Sequence, residues 1–152
     1  MRKTVLALAA LLTVLVLACS AAAEGTVLPE EGWLADSVNG AVWQDDRASL
    51  EVIPEGDGYK VLISWGSSAW ENTEWTYSGS YDPETQALTA VHVICDDVVY
   101  DDNGNESRTE VLNRDCSAVF SLDGEGKLVI RDAADERLEG KAFEKITVEP
   151  LR

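Results

Sequence analysis

The chain has 152 residues, with 12 Lys and Arg against 28 Asp and Glu, and a formal net charge of −16. Such a surface repels nucleic-acid phosphates and anionic lipid headgroups, which removes both as binding targets. Five Trp and four Tyr supply large apolar bodies, so the acidity is not that of a disordered tail.

Arg2 and Lys3 open the chain, no acidic residue precedes Glu24, and positions 5–18 are apolar except for Thr13. That apolar core is shorter than the roughly 20 residues that span a bilayer. A basic start, a short apolar middle and small residues after it make an export signal over 1–23. Two ways of removing it are open. Val16-Leu17-Ala18-Cys19 resembles the lipobox of bacterial lipoproteins, which makes Cys19 a lipid-attachment site holding the protein on the outer face of the cell membrane. Cleavage after Ala21-Ala22-Ala23 would instead discard Cys19 and release a secreted protein.

Residues 24–38 read as a tether and lead-in, with Pro29 and little periodicity, and 39–152 as a single β domain. Short alternating runs recur at intervals of about ten residues: 41–44, 48–53, 59–65, 73–80, 87–100, 108–122, 127–131 and 142–148. Gly, Asp, Asn and Pro divide them, as in Glu55-Gly56-Asp57-Gly58, Asp82-Pro83-Glu84-Thr85 and Asp123-Gly124-Glu125-Gly126. Residues 132–139 read as one acidic helical turn.

A hairpin closing around Asn105-Glu106 would set Val99 against Leu112, Asp97 against Arg114, Cys95 against Cys116, Val93 against Ala118 and Val91 against Phe120. The flanking hairpins would set Tyr77 against Val91, Trp75 against Val93, Phe120 against Leu128 and Ala118 against Ile130. Four successive strands then share one apolar face, which curls around itself. The fold expected is all-β, a small antiparallel up-and-down barrel of about eight strands, lipocalin-like, preceded by a signal helix.

Cys95 and Cys116 are the even pair left in the exported part, and an exported pair reads as a disulfide, or else as two buried thiols. Closing that loop of roughly 20 residues would add about 3 kcal/mol in the chain-entropy model.

Catalytic signatures are faint. His92, the one histidine, alternates with valines and reads as a surface residue. Neither a zinc set nor a G-x-S-x-G elbow is present, and Asp45-Asp46 and Asp96-Asp97 do not stand out as glycosidase acids. Asp101-x-Asn103-x-Asn105 departs from the EF-hand pattern and reads as a hairpin turn. No metal and no cofactor is expected. Trp65, Trp70 and Trp75 fall five residues apart around a turn. With Tyr77 they are the candidate ligand-binding residues, an aromatic platform for sugar rings or a lipophilic molecule, or else they plug the barrel. Trp70 is the ring best placed for exposure.

Asp46-Arg47-Ala48-Ser49-Leu50, Gly58-Tyr59-Lys60-Val61, Ile63-Ser64-Trp65, Ser68-Ala69, Trp75-x-Tyr77-x-Gly79-x-Tyr81-Asp82, Phe120-Ser121-Leu122-Asp123 with Leu128, and Phe143-Glu144-Lys145-Ile146 carry a likeness. Over about 40–146 the chain resembles a group of uncharacterised exported domains of anaerobic bacteria. The resemblance implies a lipocalin-like barrel and brings no known activity. The function expected is a non-enzymatic exported binding module for a small hydrophobic ligand or a protein partner. An acidic inhibitor or envelope-stress protein that blocks a basic enzyme is the alternative, and a polysaccharide hydrolase a third.

Overall fold

The computed structural model describes residues 29–146. The export signal and signal helix expected over 1–23, the expected lipid-attachment residue Cys19, and the stretch 147–148 of the last expected strand lie outside the described residues.

The chain forms α1 (Trp33–Val38), β1 (Val42–Asp45), β2 (Ala48–Glu55), β3 (Gly58–Gly66), β4 (Glu71–Asp82), β5 (Ala87–Tyr100), β6 (Glu106–Asp115), β7 (Val119–Leu122), β8 (Leu128–Arg131) and β9 (Ala142–Ile146). β1 to β5 pair antiparallel with their neighbours, β7 to β9 do likewise, and β9 returns to β1. The result is a closed eight-stranded antiparallel barrel, as the alternating runs require. β6 is not a ninth stave. Leu88 and Thr89 of β5 pair with β7, while His92 to Tyr100 pair with β6. The ladder crosses the break through Cys116 N–H to Val91 O at 3.0 Å and Ala90 N–H to Ala118 O at 2.7 Å. β6 and β7 are therefore one line of chain along a single edge of β5.

Strict alternation in β3, with Tyr59, Val61 and Ile63 buried, shows how the sequence builds the wall. The lumen is filled by side chains of the chain itself: Trp43, Trp75, Tyr77, Phe120, Phe143, Leu50, Ile63, Leu88, Leu128 and Ile130 are all fully buried. Burying each aliphatic or phenylalanine side chain of this kind stabilises the fold by about 1.5–3 kcal/mol.

Both ends are stoppered. At the end of the β4–β5 hairpin, α1 buries Trp33, Leu34, Ala35 and Ser37. The Trp33 indole N–H donates to Gln86 O at 2.8 Å, and its ring meets Tyr81 edge-on at 5.9 Å. Ser37 Oγ donates to Trp33 O and accepts from Trp43 Nε1, so the helix is tied to β1. Residues 33–38 thus belong to the barrel body, and the lead-in is no loose tether there. At the opposite end the β8–β9 connection, residues 132–141, folds over the opening and drives Leu138 into the core. This stretch is a series of turns rather than the helical turn expected at 132–139.

The registers differ from those expected. The β5–β6 turn closes earlier, with Asp101 N–H bonded to Asn105 O, so Cys95 faces Leu112 and Val93 faces Arg114. In β4–β5, Trp75 faces Cys95 and Tyr77 faces Val93; in β7–β8, Phe120 faces Ile130. Irregularities at Ser78/Gly79 and at Cys95/Asp96 shift the ladder. Val91 and Val99, expected inside, are exposed, and Leu88 and Ala90 are buried instead. Glycine permits the first irregularity: a Cβ on Gly79 would lie 2.2 Å from Thr89 O and 2.6 Å from Ala90 Cα.

The expected Cys95–Cys116 disulfide is absent, and both thiols are free. Cys116 pairs at Val91, four residues along β5 from Cys95. That offset is about 13 Å of strand, beyond the roughly 7 Å between Cα atoms that a disulfide can bridge.

Candidate functional site

Of the four aromatic residues singled out from sequence, three converge at the barrel end closed by the β8–β9 connection. Trp75 and Tyr77 are wholly buried, and Trp65 lies half-buried at 6.4 Å from the Trp75 ring. The fourth, Trp70, stands apart in the β3–β4 turn, 55% exposed. The aromatic group is thus part of the packing, with one ring left outside.

Polar groups of the β8–β9 connection hold this end shut. The Trp75 indole N–H donates to Asp135 Oδ2 at 3.1 Å. Arg137 Nε donates to Asp135 Oδ1 and Oδ2 at 3.0 and 3.1 Å, and its guanidinium lies 4.8 Å from the Trp75 ring centroid. Lys141 covers the Trp65 ring at 4.4 Å and pairs with Asp45. Burial pushes the Asp135 carboxyl up, but its bonds from Arg137 and Trp75 outweigh this and leave it below the ordinary carboxylate range. The Asp135 bond likewise raises Arg137. Beneath them the Tyr77 hydroxyl is buried without a hydrogen-bond partner of normal geometry, and burial pushes its phenol far above the usual value. Burial also pushes the Cys95 thiol up to about 11, which makes it a poor nucleophile. A hollow of about 350 Å³ opens beside this cover, lined by Ser67, Glu71, Thr73, Asp97, Val99 and Arg137 among others. Thr73 Oγ1 donates to Asp97 Oδ1 there at 3.1 Å.

The outer wall has a different character. Glu74 faces Asp96, and Asp96 faces Glu110, so three carboxylates occupy one rung across β4, β5 and β6. Like charges directly opposite one another oppose pairing. Arg108 relieves them: Nη1 lies 2.7 Å from Glu74 and 3.5 Å from Asp96, and Nε bonds Glu106. The bond to Glu106 and then that to Glu74 raise its pKa further above the usual value.

Among the described residues no three His, Cys, Asp or Glu side chains are placed to hold a metal ion. His92 is partly exposed, with Nδ1 3.2 Å from Asp115 Oδ1. Asp101 turns its carboxylate back on its own hairpin, accepting from the N–H groups of Asn103 and Asn105 at 2.8 Å and from Asn105 Nδ2. The Asn105 side chain, ahead of its backbone, holds that carboxyl below the ordinary range. Among the described residues no helix is long and apolar enough to cross a membrane. Sequence reasoning missed Arg108, Asp135 and Arg137. The signal available was a lone basic residue inside an acidic stretch, visible at Arg137 only once β4 is known to lie beside it.

Fold and geometry together define a stoppered, lumen-filled β-barrel with an acidic wall. No family model, curated protein or solved structure matches the chain.

Proposed function

We propose that this protein is an exported, non-enzymatic binding module that works with the outside of its barrel and takes a basic protein as its partner. One observation carries the reading. The space in which a lipocalin-like barrel would hold a small hydrophobic molecule is occupied by Trp43, Trp75, Tyr77, Phe120 and Phe143. With both ends closed by α1 and the β8–β9 connection, what remains for binding is the wall and rim. The net charge of −16 and the carboxylate rung make that wall attractive to cationic surfaces. A filled barrel with an acidic exterior also suits an inhibitor that covers a basic enzyme.

The test is calorimetric titration of the exported part against lysozyme, cytochrome c and a lysine-rich peptide, at low and at physiological salt. Saturable binding that weakens as salt rises is expected for at least one of these. Binding to none of them at low salt overturns the reading. Export and anchoring through Cys19 are proposed with it, and intact-mass measurement of membrane and culture fractions tests them. Diacylglycerol on Cys19, or a chain starting at Glu24, is the expected result; an unprocessed chain in the cytoplasm is the contrary one.

A further inference from the structure

We infer that the free edge of β6 is the docking line, and that an extended basic segment of the partner adds to it as a further strand. The inference rests on the reading of a basic protein partner and gives that partner a place. Over Glu106–Asp115, β6 pairs with β5 alone among the described residues, and its other edge carries no backbone hydrogen bond there. The ladder fixes which groups point outward. Tyr100 N–H donates to Trp70 O at 2.8 Å, toward β4, so its opposite number Glu106 turns its own N–H and C=O away from β5. By alternation Arg108 and Glu110 do the same, while Ser107 and Thr109 face β5.

Three outward-directed residues at ladder spacing are what strand addition uses. β6 contains neither Pro nor Lys, two of the residues that commonly blunt an edge. Its irregularity opposite Cys95/Asp96 comes after Glu110, which leaves Glu106 to Glu110 as a regular stretch.

Charge selects the occupant. The stretch carries Glu106 and Glu110, and Asp96 and Glu74 lie in the rung behind. Arg108 is already engaged by three of these four carboxylates. A strand laid on the edge puts alternate side chains beside this rung, where Lys or Arg meets carboxylate and an acidic residue meets repulsion. A second copy of this chain would bring the same acidic rung and a net −16 against it.

The experiment titrates a synthetic peptide of alternating lysine and valine, as long as β6, into the exported part at low salt, read by amide hydrogen exchange and affinity. Slowed exchange at Glu106, Arg108 and Glu110 is expected. Glu110→Gln should weaken binding severalfold by removing a carboxylate. Glu110→Pro also removes the outward N–H while sparing the β5 ladder, and should bind at least about tenfold more weakly than Glu110→Gln. Hydrogen exchange on the unmodified chain decides the matter alone if the proline variant loses its native circular dichroism.

Equal affinities of the two variants, or protection elsewhere on the barrel, overturn the edge while leaving a basic partner in place. So does failure of this peptide alongside saturable binding of lysozyme. Loss of all basic ligands overturns both. The same amides protected by self-association, without peptide, would assign the edge to a second copy instead.

Discussion

Tyr77, buried, and Asp135, half-buried, show how differently two polar side chains taken from water can bear on stability. The Tyr77 hydroxyl is out of water without a well-formed bond, so it costs free energy where it lies. Tyr77→Phe is expected to leave the melting temperature unchanged or to raise it, by up to about 1 kcal/mol of stability. Asp135 is the reverse, accepting from Trp75 and Arg137 at once. Asp135→Ala strands both donors and should cost about 1–3 kcal/mol in denaturant unfolding. Its folded pKa is lowered, so its contribution is fully present above the ordinary aspartate value of about 3.9 and fades as pH falls through the lower folded value. The stability gap between the native chain and Asp135→Asn should therefore narrow below about pH 4. A gap that stays constant down to pH 2 would contradict the Trp75–Asp135–Arg137 arrangement. Residue identity made the aromatics legible in the sequence. Asp135 and Arg137 were not, because their meaning depends on a loop meeting a strand 60 residues away.

At the scale of elements the strand boundaries were readable and the registers were not. The run read at 87–100 coincides with β5, and that at 108–122 with β6 and β7 together. Side chains in a strand repeat every two residues, so sliding a partner by two or four keeps every apolar residue on its face. Matching Cys95 to Cys116 and Asp97 to Arg114 therefore satisfied chemistry without fixing register. What fixed it was the turn: Asp101 gathers Asn103 and Asn105 and closes the hairpin early. Irregularities at Gly79 and beside Asp96 then reverse the alternation, which is why Val91 and Val99 face water. Gly79→Ala should destabilise the barrel by more than about 2 kcal/mol, since its methyl meets backbone and not a movable side chain. A thermal melt within a degree of the parent would mean that β4 and β5 do not approach as described. The six-residue α1 escaped detection because one and a half turns show no periodicity; only its burial of Trp33 and Leu34 gives it away.

For the molecule as a whole, composition had already indicated acidity, and the alternating runs a β architecture. It could not say whether the lumen was open, because a tryptophan on an inward face serves equally well as plug or as platform. The structure has it as plug. A chain so acidic repels itself, and added salt screens that repulsion. Salt should therefore raise the melting temperature while weakening the proposed binding of a basic protein, and such opposite signs are hard to obtain from a barrel that binds through its interior. The most direct measurement is an equilibrium titration of residues 24–152 with a naturally fluorescent fatty acid, followed by tryptophan quenching and ligand emission. No saturable signal is expected, because Trp43, Trp75 and Phe120 occupy the space such a chain would need. Stoichiometric binding that quenches the buried tryptophans would contradict this.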